Sequence, residues 1–123
     1  MKIVIAEDEE MLLKAMEFKL LKEGFEVIAC SNGEEAMEQI VSQNPDIIIT
    51  DIMMPIVNGL EIVKKVKMEL KLTIPIIILS SVGFENTVEE AFALGVDDFI
   101  TKPFNPSELI IRVKRQLLRV KKQ

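Results

Sequence analysis

Hydrophobic residues in this chain fall into two alternating patterns, short unbroken runs and longer stretches with helical spacing. Ile3-Val4-Ile5-Ala6, Ile47-Ile48-Ile49 and Ile76-Ile77-Ile78-Leu79 are apolar at every position, as strands buried on both faces of a parallel sheet must be. Between and after them Leu12, Ala15, Met16 and Leu20, then Leu60, Val63 and Val66, and finally Leu109, Val113 and Leu117 recur three and four apart, which lines them along one side of a helix. The alternation predicts strands near 2–6, 25–29, 46–50, 75–79 and 97–101, each followed by a helix. A βα repeat of this kind predicts an α/β fold, a doubly wound five-stranded parallel sheet covered on both faces.

Local signals mark the element ends. Ser31 with Glu34, Asn58 with Glu61 and Asn105 with Glu108 each set a capping residue three before a glutamate, and Pro106 suits a first helical turn. Gly24 and Gly95 fall where helices should stop. No linker or low-complexity run divides the chain, so residues 1–123 read as one domain, with 119–123 open to reading as the start of a linker.

Composition adds less than the pattern does. A chain of 123 residues with 49% hydrophobic content suffices for a packed core. No apolar run approaches the roughly 20 residues of a membrane span, and Met1-Lys2-Ile3 leads straight into a strand, so a cytoplasmic protein without membrane contact is expected. The single cysteine, Cys30, excludes an internal disulfide and reads as a small residue near a strand end. Net charge is -5, but residues 107–123 carry +5 and the rest -10. An acidic body argues against direct nucleic-acid binding, which needs a basic face; the basic end reads as the solvated side of a last helix.

The chemistry gathers where the apolar runs end. The first predicted strand runs into Glu7-Asp8, the third into Asp51, the fourth into Ser80 and the fifth into Lys102. Ligands of open parallel sheets bind outside the carboxyl ends of the strands, so three carboxylates, a hydroxyl and an ammonium should converge there. Crowded carboxylates repel unless a cation neutralises them. Mg2+ suits such a set, because it takes one or two carboxylates and leaves room for phosphate oxygens. A carboxylate beside that ion can attack phosphorus, with a lysine sharing the charge of the transferred group.

At these residues the chain resembles the receiver domains of two-component response regulators. The matching segments are Ile3 to Glu9, Asp51-Ile52-Met53-Met54-Pro55 with Asn58-Gly59, Ile78-Leu79-Ser80-Ser81, and Gly95 to Phe104. The resemblance implies a flavodoxin-like strand order 2-1-3-4-5 and phosphoryl transfer from a histidine kinase to Asp51, with Mg2+ as the ion and Mn2+ as a substitute. It implies direct metal ligation by Asp8 and Asp51, ligation through water by Glu7, and a further ligand in the Met53 carbonyl. Ser80, Lys102 and the Ser81 N–H should meet the phosphoryl group. Ser80 and Phe99 should form a switch in which the Phe99 ring turns inward and alters the face between the fourth and fifth helices. The Lys102-Pro103 bond matches a position that is cis in the family.

The partners so implied are a sensor histidine kinase or phosphotransfer protein, a downstream effector domain or protein, and a second copy of the chain on phosphorylation. Val88 departs from the basic residue that many DNA-binding members use to pair across such a dimer, although Asp97 and Arg112 remain to pair. Met53 and Val82 stand where polar side chains often orient the hydrolytic water, which implies slow self-dephosphorylation. Two rival readings are a pseudo-receiver acting only as an interaction module and a phosphohydrolase with an aspartyl nucleophile. Retention of the acids, Ser80 and Lys102 argues against the first. The absence of histidine and of an acid at position 53 argues against the second, so the chain reads as a switch that catalyses only its own phosphorylation and dephosphorylation.

Overall fold

In the computed structural model of this protein the described residues are 1–81 and 85–121. Along the chain run β1 (Lys2–Ala6), α1 (Glu10–Lys22), β2 (Glu26–Cys30), α2 (Gly33–Gln43), β3 (Ile47–Asp51), α3 (Gly59–Lys64), β4 (Ile76–Ser81), α4 (Glu85–Ala93), β5 (Asp98–Lys102) and α5 (Pro106–Lys121). A π-helical turn over Lys65–Glu69 continues α3. The strands form one five-stranded sheet in the order β2-β1-β3-β4-β5, and each adjacent pair is parallel. This is the doubly wound, flavodoxin-like arrangement, in which the strand order reverses between β1 and β3. Among the described residues no helix is long and apolar enough to cross a membrane.

The period of two along each strand divides the core into two layers. Ile3, Ile5, Ile47, Ile49, Ile77 and Leu79 point to one face, where Leu13, Met16 and Leu20 of α1 and Leu109, Val113 and Leu117 of α5 cover them. Val4, Ala6, Ile48, Ile76 and Ile78 point to the other, beneath Ala36 and Ile40 of α2, Ile62 and Val63 of α3 and Ala91 of α4. Isoleucines 47, 48, 49, 76, 77 and 78 are all fully buried, so truncating one to alanine should cost about 2–5 kcal/mol.

Several boundaries differ from the sequence reading. Strands β2 to β5 start one residue later than expected, which makes Asp51 and Lys102 the last residues of their strands. The reason is the register: Asp51 pairs with Leu79 and Lys102 with Ser81, so neighbouring strands hold them in the ladder. In α1 the buried face is Leu13, Met16 and Leu20, while Ala15 is exposed and Leu12 half-buried. The cap of α2 is Asn32, whose Oδ1 accepts the Glu35 N–H at 2.8 Å, rather than Ser31 with Glu34. Asn58 and Glu61 do close a reciprocal capping box on α3. Asn105 Oδ1 takes the Ser107 N–H at 2.9 Å instead of that of Glu108. Gly24 and Gly95 end their helices with φ of 91° and 107°, and Lys102-Pro103 is cis.

Candidate functional site

Glu7 and Asp8 follow β1, Asp51 ends β3 and Lys102 ends β5, all at the carboxyl edge of the sheet. Carboxylate oxygens of Glu7, Asp8 and Asp51 lie within 4.8 Å of one another. Lys102 reaches into this group and places its Nζ 2.9 Å from Asp51 Oδ2 and 2.5 Å from Glu7 Oε1. Glu7 is fully buried and Asp51 7% exposed, whereas Asp8 is open to solvent. A cleft of about 410 Å³ opens beside Lys102, lined by Glu9, Leu12, Ser81, Pro103 and Phe104.

Burial dominates the electrostatics here. It pushes the Glu7 carboxyl up to about 7 against the pull of Lys102 and the Glu9 N–H, and the Asp51 charge adds to the rise. For Lys102 burial disfavours the charge, but the hydrogen bonds and charges of Asp51 and Glu7 outweigh it and raise its pKa. Glu7 Oε2 accepts the Glu9 N–H at 3.1 Å. Oε1 is met by the Lys102 ammonium. Three clustered carboxylates, two of them sharing a single lysine, fit a hard, oxygen-seeking divalent cation.

Local backbone features fix Asp51. Gly59, the first residue of α3, donates its N–H to the Ile52 carbonyl at 2.8 Å. A Cβ built on Gly59 would lie 2.2 Å from the Asp51 carbonyl oxygen, so only glycine allows α3 to start against this backbone. The buried Thr50 hydroxyl also donates to that carbonyl, at 3.0 Å. Between them the loop turns tightly at Ile56, where φ is 72° and the Val57 N–H meets the Pro55 carbonyl at 2.9 Å. A β-branched residue in this region is strained.

Ser80 lies on β4 between the strands that carry Asp51 and Lys102. Its side chain is buried, and its Oγ donates to the Ser81 carbonyl at 3.2 Å. Thr101 of β5 is its register partner, and Phe99 pairs with Ile78. Met53, two residues past Asp51, is 56% exposed. Val82 lies outside the described residues.

A family model described as "Response regulator receiver domain" matches residues 3–114. The chain belongs to this family. The receiver is 37% identical over 118 residues to the alkaline phosphatase synthesis transcriptional regulatory protein PhoP of Bacillus subtilis (strain 168), covering 96% of this chain and 49% of that protein. It therefore spans about half the length of this curated relative. The Francisella response regulator 1452 receiver domain superposes with a TM-score of 0.89 at 32% identity, over 97% of this chain and 98% of that one. A response regulator receiver domain protein from Clostridium thermocellum gives 0.90 at 28% identity, over 98% and 96%.

The structure brings together Glu7, Asp8, Asp51 and Lys102 from three strands of the receiver, with Ser80 and Ser81 on the strand between the last two. Phe99 stands apart from them on the edge strand, 36% exposed. Within the chain Arg112 pairs with Asp98 at 2.6 Å, and Asp97 pairs with Lys67 at 3.0 Å. Sequence reasoning missed Thr50 and the steric role of Gly59. The sequence signals for the latter were its place after the Asn58 cap and within a segment that matches the family.

Proposed function

We propose that Asp51 is the phosphoryl acceptor of a two-component relay and that its phosphorylation alters the α4-β5-α5 face. The observation that carries this reading is the Lys102 bridge between Asp51 and the buried Glu7, set among three clustered carboxylates. An Asp51 oxygen forms a bond to phosphorus as the bond from phosphorus to the partner's histidine nitrogen breaks, and the imidazole leaves with that electron pair. Asp8, Asp51 and the Met53 carbonyl would hold Mg2+ directly, Glu7 through water, with Mn2+ as a substitute. When bound, the ion neutralises charge on the carboxylates and on the transferred oxygens.

The remaining steps belong to the protein's own groups. Lys102 is already held charged between two carboxylates, so it meets the new phosphoryl oxygens without having to gain a proton. Ser80 exchanges its bond to the neutral Ser81 carbonyl for one to a charged phosphoryl oxygen, and charge-assisted bonds are roughly twice as strong. That gain exists only in the phosphorylated state, so it can shift an equilibrium. The Ser81 N–H is a further donor to the phosphoryl group. Ser80 and Phe99 carry the change to the surface, to a downstream effector partner or domain or to a second copy of the chain. Likeness to a transcriptional regulatory protein supports an output in transcription, exerted outside this acidic domain and in the cytoplasm.

The test is incubation with acetyl phosphate and Mg2+ followed by intact-mass measurement. One phosphoryl mass is expected on the parent and none on Asp51→Asn, because an amide is not a competent nucleophile. Chelation should also abolish the gain. Equal labelling of the variant sinks the assignment.

A further inference from the structure

Phe92 takes no part in the phosphoryl chemistry, yet among the described residues it is the aromatic partner of Phe99. The ring centroids are 5.8 Å apart with planes at 87°, an edge-to-face contact. Both rings lie at the surface, 44% and 36% exposed, and β5 is the end strand of the sheet. Phe92 follows Ala91, which is fully buried against the sheet. The step of about 100° between successive helical residues turns Phe92 from the core toward the β5 edge.

The backbone at Phe99 is held from the other side. Arg112 of α5 donates through one nitrogen to Asp98 Oδ1 at 2.6 Å and to the Phe99 carbonyl at 3.2 Å. Asp98 Oδ1 also accepts the Phe99 N–H at 2.8 Å. With its own peptide groups fixed in this way, Phe99 can change position mainly by rotating its side chain.

We infer that Phe92 is a positioning residue that holds the Phe99 ring outward and so sets the resting bias of the switch. The inference rests on the switch role proposed for Phe99. Because the contact exists in one ring position only, its loss should raise the inward population about two- to twelvefold, the range of an edge-to-face pair. By linkage the same loss should favour phosphorylation by the same factor.

The test uses the unphosphorylated, metal-free chain and reads the nuclear Overhauser effect between the Phe99 ring protons and the Ser80 Hβ protons. Phe92→Leu should strengthen this cross-peak about two- to twelvefold relative to the parent. Phe92→Tyr, which keeps the ring edge, should match the parent. An unchanged cross-peak in Phe92→Leu, or an equal rise in both variants, overturns the inference. So does a rise that scales with protein concentration, since the proposed contact lies within one chain. Labelling of the parent by acetyl phosphate tests the phosphoacceptor reading separately. If the parent is labelled while the cross-peak stays unchanged, only the positioning role fails; if it is unlabelled, the acceptor reading fails and the resting-state cross-peak still decides the role of Phe92.

Discussion

Glu7 and Phe99 sit on the same sheet under opposite conditions. Glu7 is fully buried, ion-paired and surrounded by further charge, whereas Phe99 is 36% exposed and held, among the described residues, by the Phe92 ring and the Arg112 clamp on its backbone. Around Glu7, each charge depends on the others, so altering one disturbs the whole group. Around Phe99, the ring's contact is of the order of 1 kcal/mol, small enough for a new bond at Ser80 to offset it. A chemical centre benefits from the first design because its geometry is fixed before the substrate arrives. The switch proposed for Phe99 benefits from the second because it must adopt two positions.

The sharpest way to break this comparison is to remove each end separately. Asp51→Asn should abolish labelling by acetyl phosphate, while Ser80→Ala should remain labelled and lose most of the amide shift change near Phe99. If both variants lose labelling, chemistry and readout are not separable as drawn. Next in size is Gly59→Ala, whose Cβ would displace the Asp51 carbonyl. Overpacking of this kind costs about 1–3 kcal/mol, measurable as a lower urea midpoint, and it should slow labelling as well. A variant with unchanged midpoint and rate would show that α3 can move away freely.

Glu7 gives a pH signature. Its folded pKa, about 7, lies above the ordinary value of 4.5. The stability linked to it is therefore fully present below pH 4.5 and is lost as pH rises through 7, with a ceiling of roughly 3 kcal/mol. Urea midpoints of the metal-free protein should fall between pH 4.5 and 8, and Glu7→Gln should flatten that slope. Parallel slopes would place the charge burden elsewhere. At the proposed metal site, binding should weaken as pH falls through 7, because protonating Glu7 removes one of the clustered charges that attract the cation. The smallest effect is expected at Ile56, where glycine relieves the positive φ; Ile56→Gly should change stability by no more than about 1 kcal/mol and in the stabilising direction. A loss instead would mean that the exposed Ile56 side chain contributes more than its backbone strain costs.

Cys30 provides a control from the same sheet edge. Burial, with a smaller contribution from the Glu35 charge, pushes its thiol up to about 12. Native protein at pH 8 should resist alkylation that denatured protein undergoes at once, and rapid native reaction would show that this edge opens. Both Glu7 and Cys30 are fully buried at the ends of adjacent strands, but only Glu7 has Lys102 within reach.

The sequence by itself determined the layers and the chemistry of the edge. Unbroken apolar runs such as Ile47-Ile48-Ile49 can be buried only on both sides of a sheet, and the residue ending each run then has to lie at the carboxyl edge. This logic placed Glu7, Asp8, Asp51, Ser80 and Lys102 without coordinates, because strand period and parallel connection leave few alternatives. Tertiary structure alone decided the rest. Which of two adjacent acids is buried, Glu7 or Asp8, depends on which side of the chain faces Lys102 across two strands. The choice of Asn32 over Ser31 as a cap depends on the backbone angle at the turn, and the partner of Arg112 depends on how α5 lies along β5. The Phe92–Phe99 contact joins α4 to the sheet edge. These are contacts between elements, and a periodic pattern read along one chain carries no information about the angle at which two elements meet.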